Sequence, residues 1–320
     1  MTQLQWFRRY QLITGTRGRG LTVDNLTKAG LRVAFEISKS LQKEPNQAKF
    51  QIFNLTPNHA ALIQDEYTDV IFNAGYEGGV RLLFSGNTQF VANYADKTDW
   101  ITELVCGDGD QAFRNTFINH TFAAGSTDEA VVDYCREQLP NVKKGPLQLN
   151  PSGSLRGRTY SKMAHETLDE IARTNGCNWS IQNGALQMVR ADSMLNPNSA
   201  TVLTAETGLL EAAERTSKGI TAKCLLNPDI SVNSAVKLDN SAIRARINRG
   251  RRQSAAQGQP QPPIVNLNKD GIYKVFKVRH MGDTHGNDWF TEVLCVGLGQ
   301  PLPTTSSNTT AAVPIGGQSA

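Results

Sequence analysis

The sequence DWITELVC, residues 99–106, recurs near the carboxyl end of the chain as DWFTEVLC, residues 288–295. Five of the eight positions are identical, and the other three exchange one apolar residue for another. Residues alternate with a period of two in both copies, and the Trp, Thr and aliphatic residues favour a pleated strand. The pattern therefore predicts one β-strand in each copy.

The surroundings of the two copies also match. Each is followed by a glycine-bearing turn, at 107–109 and 296–299, and each is preceded by another strand pattern and a polar turn. A tryptophan on a strand is usually a packing anchor. We interpret the repeat as a duplication that gives two related β domains, whose equivalent core strands share Trp100, Thr102, Cys106, Trp289, Thr291 and Cys295.

A helical pattern lies between the two copies. Ser126 and Glu129 have the spacing of a capping box, and apolar residues then recur on one helical face as far as Leu139. A second helix is predicted over 162–174. Asn183-Gly184, between two alternating runs, is a strong hairpin signal. These features predict a small helix-hairpin α+β module.

The predicted fold class is α+β, mainly β, with two similar β domains flanking the module. We expect a first β domain with an N-terminal arm at 1–117, the module at 118–200, and a second β domain at 201–300. A long basic loop is expected at 240–270. The tail at 301–320 is rich in Ser, Thr, Pro and Gly, which predicts a flexible arm.

The chain has a net charge of +4 over 320 residues, and the basic excess is local. A first group near the amino end contains Arg8, Arg9, Arg17 and Arg19. The densest group, a candidate partner contact, contains Arg244, Arg246, Arg249, Arg251 and Arg252. Two interpretations of this second group stay open: a loop that meets an acidic partner or passing DNA, or a solvated loop.

Residue types that carry chemistry lack a productive spacing. The five cysteines contain no CxxC pair, which favours reduced buried thiols over disulfides or a zinc site. Asp108 and Asp110 lack the later ligands of a calcium loop, so we interpret them as a turn. His280 and His285 are interpreted as a polar hairpin tip. We therefore expect no catalytic residue, metal or cofactor, and a protein that is not an enzyme.

Two further patterns concern the amino end and the membrane. Residues 15–20 resemble a phosphate loop but lack its Gly-Lys-Ser/Thr sequence and do not run from a strand into a helix, so we interpret them as a flexible entry segment. No run of about 18 apolar residues occurs, so no membrane insertion by this chain is expected.

Several segments together are similar to a known family. They are TAETGLL at 204–210 with TSKGITAKCLLNP at 216–228, CGDGD at 106–110 with AAGST at 123–127, and the helix-hairpin stretch 171–189. Through them, the chain resembles the baseplate hub proteins of contractile-tailed bacteriophages.

This resemblance implies a structural tail hub with two similar β-barrel domains and assembly as a homotrimer. Three chains would then present six similar units, which suits an adaptor between the sixfold tail tube protein and the threefold central spike protein. Baseplate wedge components are further implied partners. The implied location is the virion tail baseplate, assembled in the host cytoplasm, with nucleic acid only passing through the channel.

Two alternatives of a different class stay open. A tail-associated cell-wall-degrading enzyme would need convergent carboxylates or a Cys/His site, and would lyse cell-wall material. A nucleic-acid-binding protein would use the arginines at 244–252, and its DNA binding would weaken as salt rises.

Overall fold

The computed structural model describes residues 7–16, 19–41, 45–63, 68–109, 116–216, 218–245 and 267–298. The predicted C-terminal arm and most of the basic loop, with Arg246, Arg249, Arg251 and Arg252, lie outside the described residues, as do Arg17 and Asp110. The described part is mainly β with a few helices, which confirms the predicted α+β, mainly β class.

The described residues before the module form seven strands and one short helix. They are β1 (Arg8–Thr16), β2 (Arg19–Asp24), β3 (Val33–Ser40), β4 (Asn46–Phe53), α1 (Pro57–Ala61), β5 (Asp69–Tyr76), β6 (Gly79–Asp96) and β7 (Asp99–Asp108).

The middle part combines two helices with five strands. These elements are β8 (Phe117–Phe122), α2 (Asp128–Gln138), β9 (Lys143–Leu147), β10 (Arg158–Met163), α3 (Ala164–Thr174), β11 (Cys177–Gln182) and β12 (Ala185–Arg190).

The last part returns to strands. They are β13 (Thr201–Leu203), β14 (Glu214–Arg215), β15 (Ile220–Leu225), β16 (Ala235–Leu238), β17 (Arg244–Ala245), β18 (Ile272–Asp283) and β19 (Trp289–Val296).

Fourteen of these strands form one connected sheet. Its order is β17-β14-β15-β19-β18-β3-β4-β7-β6-β5-β1-β2, with β16 paired to β18 and β13 paired to β16. Residues 272–274 of β18 pair with β16, whereas residues 277–283 pair with β3, so the sheet branches at β18. Among the described residues the pairing order does not close, and the two predicted barrels are not confirmed.

The side chains of these strands alternate between buried and partly exposed positions. In β3, Val33, Phe35 and Ile37 are buried, whereas the residues between them are partly exposed. Phe35 contacts Phe72 with ring centroids 4.6 Å apart, which joins β3 to β5 across the core. Burying each such side chain stabilises the fold by roughly 1.5–3 kcal/mol.

The amino end is more ordered than the sequence predicts. Instead of a flexible entry segment, β1 and β2 form a hairpin in which Gly15 pairs with Gly20. Leu12 and Tyr10 are fully buried, and the Tyr10 hydroxyl donates to the Leu31 carbonyl at 2.5 Å. The prediction was wrong for these residues because core packing, not turn composition, decides their structure.

The helix-hairpin prediction holds for the middle part, but α3 begins at Ala164 and not at 162, because residues 162 and 163 belong to β10, and α2 is capped differently. Asn183 and Gly184 both have positive φ angles, 53° and 73°, as the tight turn between β11 and β12 requires. The N-cap of α2 is Thr127, whose side chain accepts from the Ala130 amide, and not Ser126. Ser126 instead donates to the Ala123 carbonyl.

Buried apolar residues form three clusters. One lies on the strands from β1 to β7 and includes Trp289 from β19. The second lies in the middle part, on α2, α3 and the strands beside them. The third lies under β15, β16, β18 and β19. Trp289 therefore packs into the core of the amino-terminal strands, although its own strand, β19, lies near the carboxyl end of the chain.

Candidate assembly interface

The duplicated strands β7 and β19 have the same surroundings. The order β3-β4-β7-β6-β5, here called the first unit, matches the order β14-β15-β19-β18-β16, here called the second unit. In both units the duplicated strand is the second strand of a hairpin and pairs on its other side with an earlier strand.

The register of the two units also matches. Leu104 lies opposite Phe50 and Val91, and its counterpart Val293 lies opposite Ala222 and Val278. Both hairpins carry a β-bulge at the same place, opposite the cysteine that ends the repeat. One bulge falls between Thr88 and Phe90 and the other between Val275 and Lys277. Since a bulge is a specific local feature of a strand, a shared position is strong evidence for duplication.

Five of the six repeat residues singled out from the sequence are buried. Thr102, Thr291, Cys106 and Cys295 are fully buried, and burial raises the pKa of both thiols to about 12. Trp289 is 3% exposed, but Trp100 is 46% exposed. Trp100 is therefore not a core residue of this chain, contrary to the prediction.

The difference between the two tryptophans has a visible cause. The Phe35 ring meets the Trp289 ring edge-on, with centroids 5.3 Å apart, and the Arg8 guanidinium lies 5.5 Å from the Trp289 ring centre. Both covering residues come from the amino-terminal part of the chain. Within the described residues, Trp100 has no aromatic or cation–π contact of this kind.

The turn of the β18–β19 hairpin is held by the amino-terminal part. Arg8 donates to the carbonyls of Asp283 and Gly286 at 2.9 and 2.5 Å. The Arg32 guanidinium contacts both carboxylate oxygens of Asp283, at 3.2 and 2.7 Å. Burial would raise the pKa of the Asp283 carboxyl, but the Arg32 guanidinium and the backbone amides of His285 and Gly286 outweigh it and lower that pKa.

The two histidines near this turn differ. His285 is exposed and fits the predicted polar tip, whereas His280 is 2% exposed and lies within β18. The Nδ1 atom of His280 is 2.9 Å from the Thr291 hydroxyl. Burial, together with the positive charge of Lys39, lowers the pKa of His280 to about 3. The polar-tip interpretation is wrong for His280 because the strand continues past it to Asp283.

A buried polar cluster joins β3, β4 and β7 to the β11–β12 turn. The Asp108 carboxylate accepts from the backbone amides of Asn183 and Gly184, the latter at 2.8 Å. The Lys39 ammonium donates to the Asn183 side-chain oxygen at 2.5 Å. The Asn46 amide donates to the Ile181 carbonyl at 2.8 Å and approaches Asp108 at 3.3 Å. Asp108 therefore connects distant parts of the chain, contrary to the prediction of a local turn, because it is buried and accepts from the β11–β12 turn.

Burial dominates the titration of this cluster. It lowers the pKa of Lys39 to about 8, against the attraction of Asp108. It raises the pKa of Asp108, although Lys39 and the two turn amides oppose that rise. The sequence carries one signal for the cluster: Lys39 continues the buried phase of Val33, Phe35 and Ile37. A lysine on the apolar face of a strand predicts a specific partner.

Of the predicted arginine group, the structure describes only Arg244. Arg244 is exposed and lies in β17, which pairs with β14 at the edge of the sheet. The arginine group therefore begins in a strand. In the described part of the chain, no group of three or more His, Cys, Asp or Glu side chains is placed to hold a metal, and no helix is long and apolar enough to cross a membrane.

Comparison with known proteins gives one family and a set of shared folds. The family model described as "Baseplate hub gp41" matches residues 15–249. No curated protein sequence matches the chain.

Solved structures with a similar fold come from phage tails and a secretion system. The 43 kDa tail protein of prophage MuSo2 from Shewanella oneidensis superposes with a TM-score of 0.57 at 10% identity, covering 90% of this chain and 98% of that one. A tail protein from Neisseria meningitidis MC58 gives 0.56 at 10% identity, covering 91% and 96%.

The third similar structure is the E. coli c3393 protein. It is described as a component of the type VI secretion system with structural similarity to the T4 bacteriophage tail proteins gp27 and gp5. Its TM-score is 0.54 at 8% identity, covering 83% of this chain and 73% of that one. At such identities these likenesses concern the fold alone.

Proposed function

The chain belongs to the baseplate hub gp41 family, and from that premise we propose that it is a trimeric adaptor between a sixfold tail tube and a threefold central spike. The observation that carries the proposal is the pair of equivalent five-strand units within one chain. Three chains with two such units each present six similar surfaces to the tube and keep threefold symmetry toward the spike.

The domain division follows from the same observation. We assign a first β domain to 1–117, the middle module to 118–200 and a second β domain to 201–300. The three buried clusters support this division. Because the described sheet is open and branched, the two barrel-like walls of the proposal would be completed only between chains.

The location and remaining partners are part of the proposal. The family places the chain in the tail of a phage particle. We propose that the tail baseplate containing this chain is assembled in the host cytoplasm. The chain also contacts baseplate wedge components, and nucleic acid only passes through the channel. The arginines at 244–252 and the arm at 301–320 are the proposed partner-contact segments.

The proposed role is mechanical and involves no chemical step. The polar groups that come together inside the fold, such as Lys39, Asp108 and His280, are buried and hold elements to one another. Lysis of cell-wall material by the purified chain would support the enzymatic alternative instead. DNA binding that weakens with salt and is lost on neutralising 244–252 would support the nucleic-acid alternative.

Copy number in purified tails tests the proposed function. We expect three copies of this chain for each ring of six tube subunits, measured by quantitative mass spectrometry with labelled peptide standards. Six copies for each ring, or absence of the chain from purified tails, would overturn the trimeric adaptor.

A further inference from the structure

One long strand edge of the first unit has no described partner. Residues 79–87 of β6 pair with β5, but residues 90–96 pair with β7 on one side only. No other described strand pairs with that second edge. An exposed edge of this length offers a row of unpaired backbone groups to another strand.

The equivalent edge of the second unit is occupied within the chain. Residues 277–283 of β18 pair with residues 34–40 of β3 in seven consecutive antiparallel pairs. The strand that fills this edge is the first strand of the first unit. The two units of one chain are thus joined by a strand pairing of defined register.

We propose that residues 92–96 of β6 pair with the β14 segment, residues 212–216, of a second copy of this chain. The contact between chains would repeat the contact between the units of one chain. This inference rests on the proposed function, which supplies the second copy, and adds the edges and the register of the contact. The contact is head-to-tail, as ring closure requires.

The register follows from the matched units. Met281 of β18 corresponds to Tyr94 of β6, because Val278 and Val91 face equivalent residues of the duplicated strands. Glu36 of β3 corresponds to Glu214 of β14, since the two face equivalent residues of β4 and β15. Met281 faces Glu36 within the chain, so Tyr94 should face Glu214 of the second copy.

Side-chain size supports this register. Within the chain Gly282 faces Phe35, and a Cβ added at Gly282 would lie 2.5 Å from the Phe35 ring. The equivalent positions between chains are Ala95 and Ala213. A methyl group is allowed at Ala95 because the residue it meets is small. The pairing also brings Ala213 of the second copy next to Trp100. Ala213 then has the position relative to Trp100 that Phe35 has relative to Trp289 within one chain.

The outer edge of β14 is covered in the single chain by β17. In the described part of the chain, this cover includes the pairs Glu214 with Arg244 and Arg215 with Ala245, and the Arg244 amide donates to the Ala213 carbonyl. Five pairs with a second copy would replace this cover. Arg244 and Ala245 therefore have to leave the edge, which releases the start of the arginine segment for another partner when the ring forms.

A disulfide between chains tests the pairing. The Tyr94→Cys/Glu214→Cys variant is oxidised mildly, both as the purified chain and in purified tails, and run on a non-reducing gel. Cysteines that face each other across strands lie within disulfide reach. We expect covalent dimers and trimers. The five native cysteines are buried and should not react.

Two variants serve as controls. Met281→Cys/Glu36→Cys places the same pair inside one chain and should close without a change of mass. Phe90→Cys/Glu214→Cys shifts one cysteine by four residues, about 13 Å along the strand, and should not cross-link. A second in-register pair, Ala92→Cys/Thr216→Cys, tests the same pairing if the first variant does not assemble.

The outcomes separate this inference from the proposed function. Cross-links for the two in-register pairs, without one for the shifted pair, support it. Chain that is present in tails but does not cross-link, or cross-links equally in the shifted variant, overturns the pairing and leaves the hub role standing. Absence of the wild-type chain from tails overturns the hub role itself.

Discussion

His280 and Asn93 occupy equivalent positions in the two units, opposite Thr291 and Thr102. The histidine is buried and its pKa falls to about 3, so it is neutral in the folded chain at ordinary pH. In the unfolded chain a histidine takes up a proton below about pH 6.5. Between these two values the unfolded state binds more protons, and stability falls as the pH is lowered.

The His280→Asn variant should remove this acid sensitivity. For the wild type we expect the free energy of unfolding to fall by about 2 kcal/mol between pH 7 and pH 5 from this residue alone. Urea unfolding at a series of pH values measures the slope. His285→Asn, at an exposed position, is the matched control and should keep the wild-type slope. An unchanged slope in His280→Asn would contradict the assigned role.

Asp108 offers a second test at the residue scale. Asp108→Asn leaves the buried Lys39 without its counter-charge and weakens the two turn hydrogen bonds, which should cost about 3 kcal/mol. Urea unfolding gives the energy, and amide exchange at Asn183 and Gly184 reports the local effect. The double variant Lys39→Met/Asp108→Asn removes the stranded charge and should recover part of the loss. Equal losses in the single and double variants would argue against coupling.

At the scale of elements, the two duplicated hairpins differ mainly in what covers them. Trp289→Ala removes a side chain packed by Phe35 and Arg8, and should destabilise the purified chain by about 3–5 kcal/mol. Trp100→Ala removes a half-exposed side chain and should cost about 1 kcal/mol in the isolated chain.

On association of the chains, Trp100→Ala should have a larger effect than Trp289→Ala. Trp100→Ala is expected to fold normally and to weaken association in sedimentation experiments, because Trp100 becomes buried only between chains. A Trp100→Ala chain that associates like the wild type would show that this surface stays exposed in the assembly.

Several elements could be predicted from local sequence. The repeat predicts β7 and β19, and Asn183-Gly184 predicts the β11–β12 turn, because strand alternation and positive φ angles leave direct marks in the residues. The β1–β2 hairpin could not be predicted in this way. Leu21 and Val23 alternate with polar residues over a short run only, and the hairpin owes its order to the packing of Tyr10 and Leu12 against distant strands.

The candidate interface was only partly visible in the sequence. The repeat indicates two similar units, but two identical Trp residues give no sign that one is covered and the other exposed. That difference arises from β3 and Arg8, which are distant in sequence from β19. The Asp108 cluster likewise depends on a contact between β7 and the β11–β12 turn.

At the scale of the whole molecule, one chain is an open series of two units. One end presents residues 90–96 of β6, and the other presents β14, which β17 covers in the single chain. Under the proposed pairing these ends are complementary, and head-to-tail contacts between copies would propagate until they close. The chain belongs to the baseplate hub gp41 family, and we propose that this closure forms the hub ring.

The symmetry of the hub in averaged images of isolated tails tests the central claim most directly. We expect a threefold ring made of three chains, in which six similar β units alternate between first and second units around the channel. A sixfold ring of six whole chains, each contributing one unit to the wall, would contradict it.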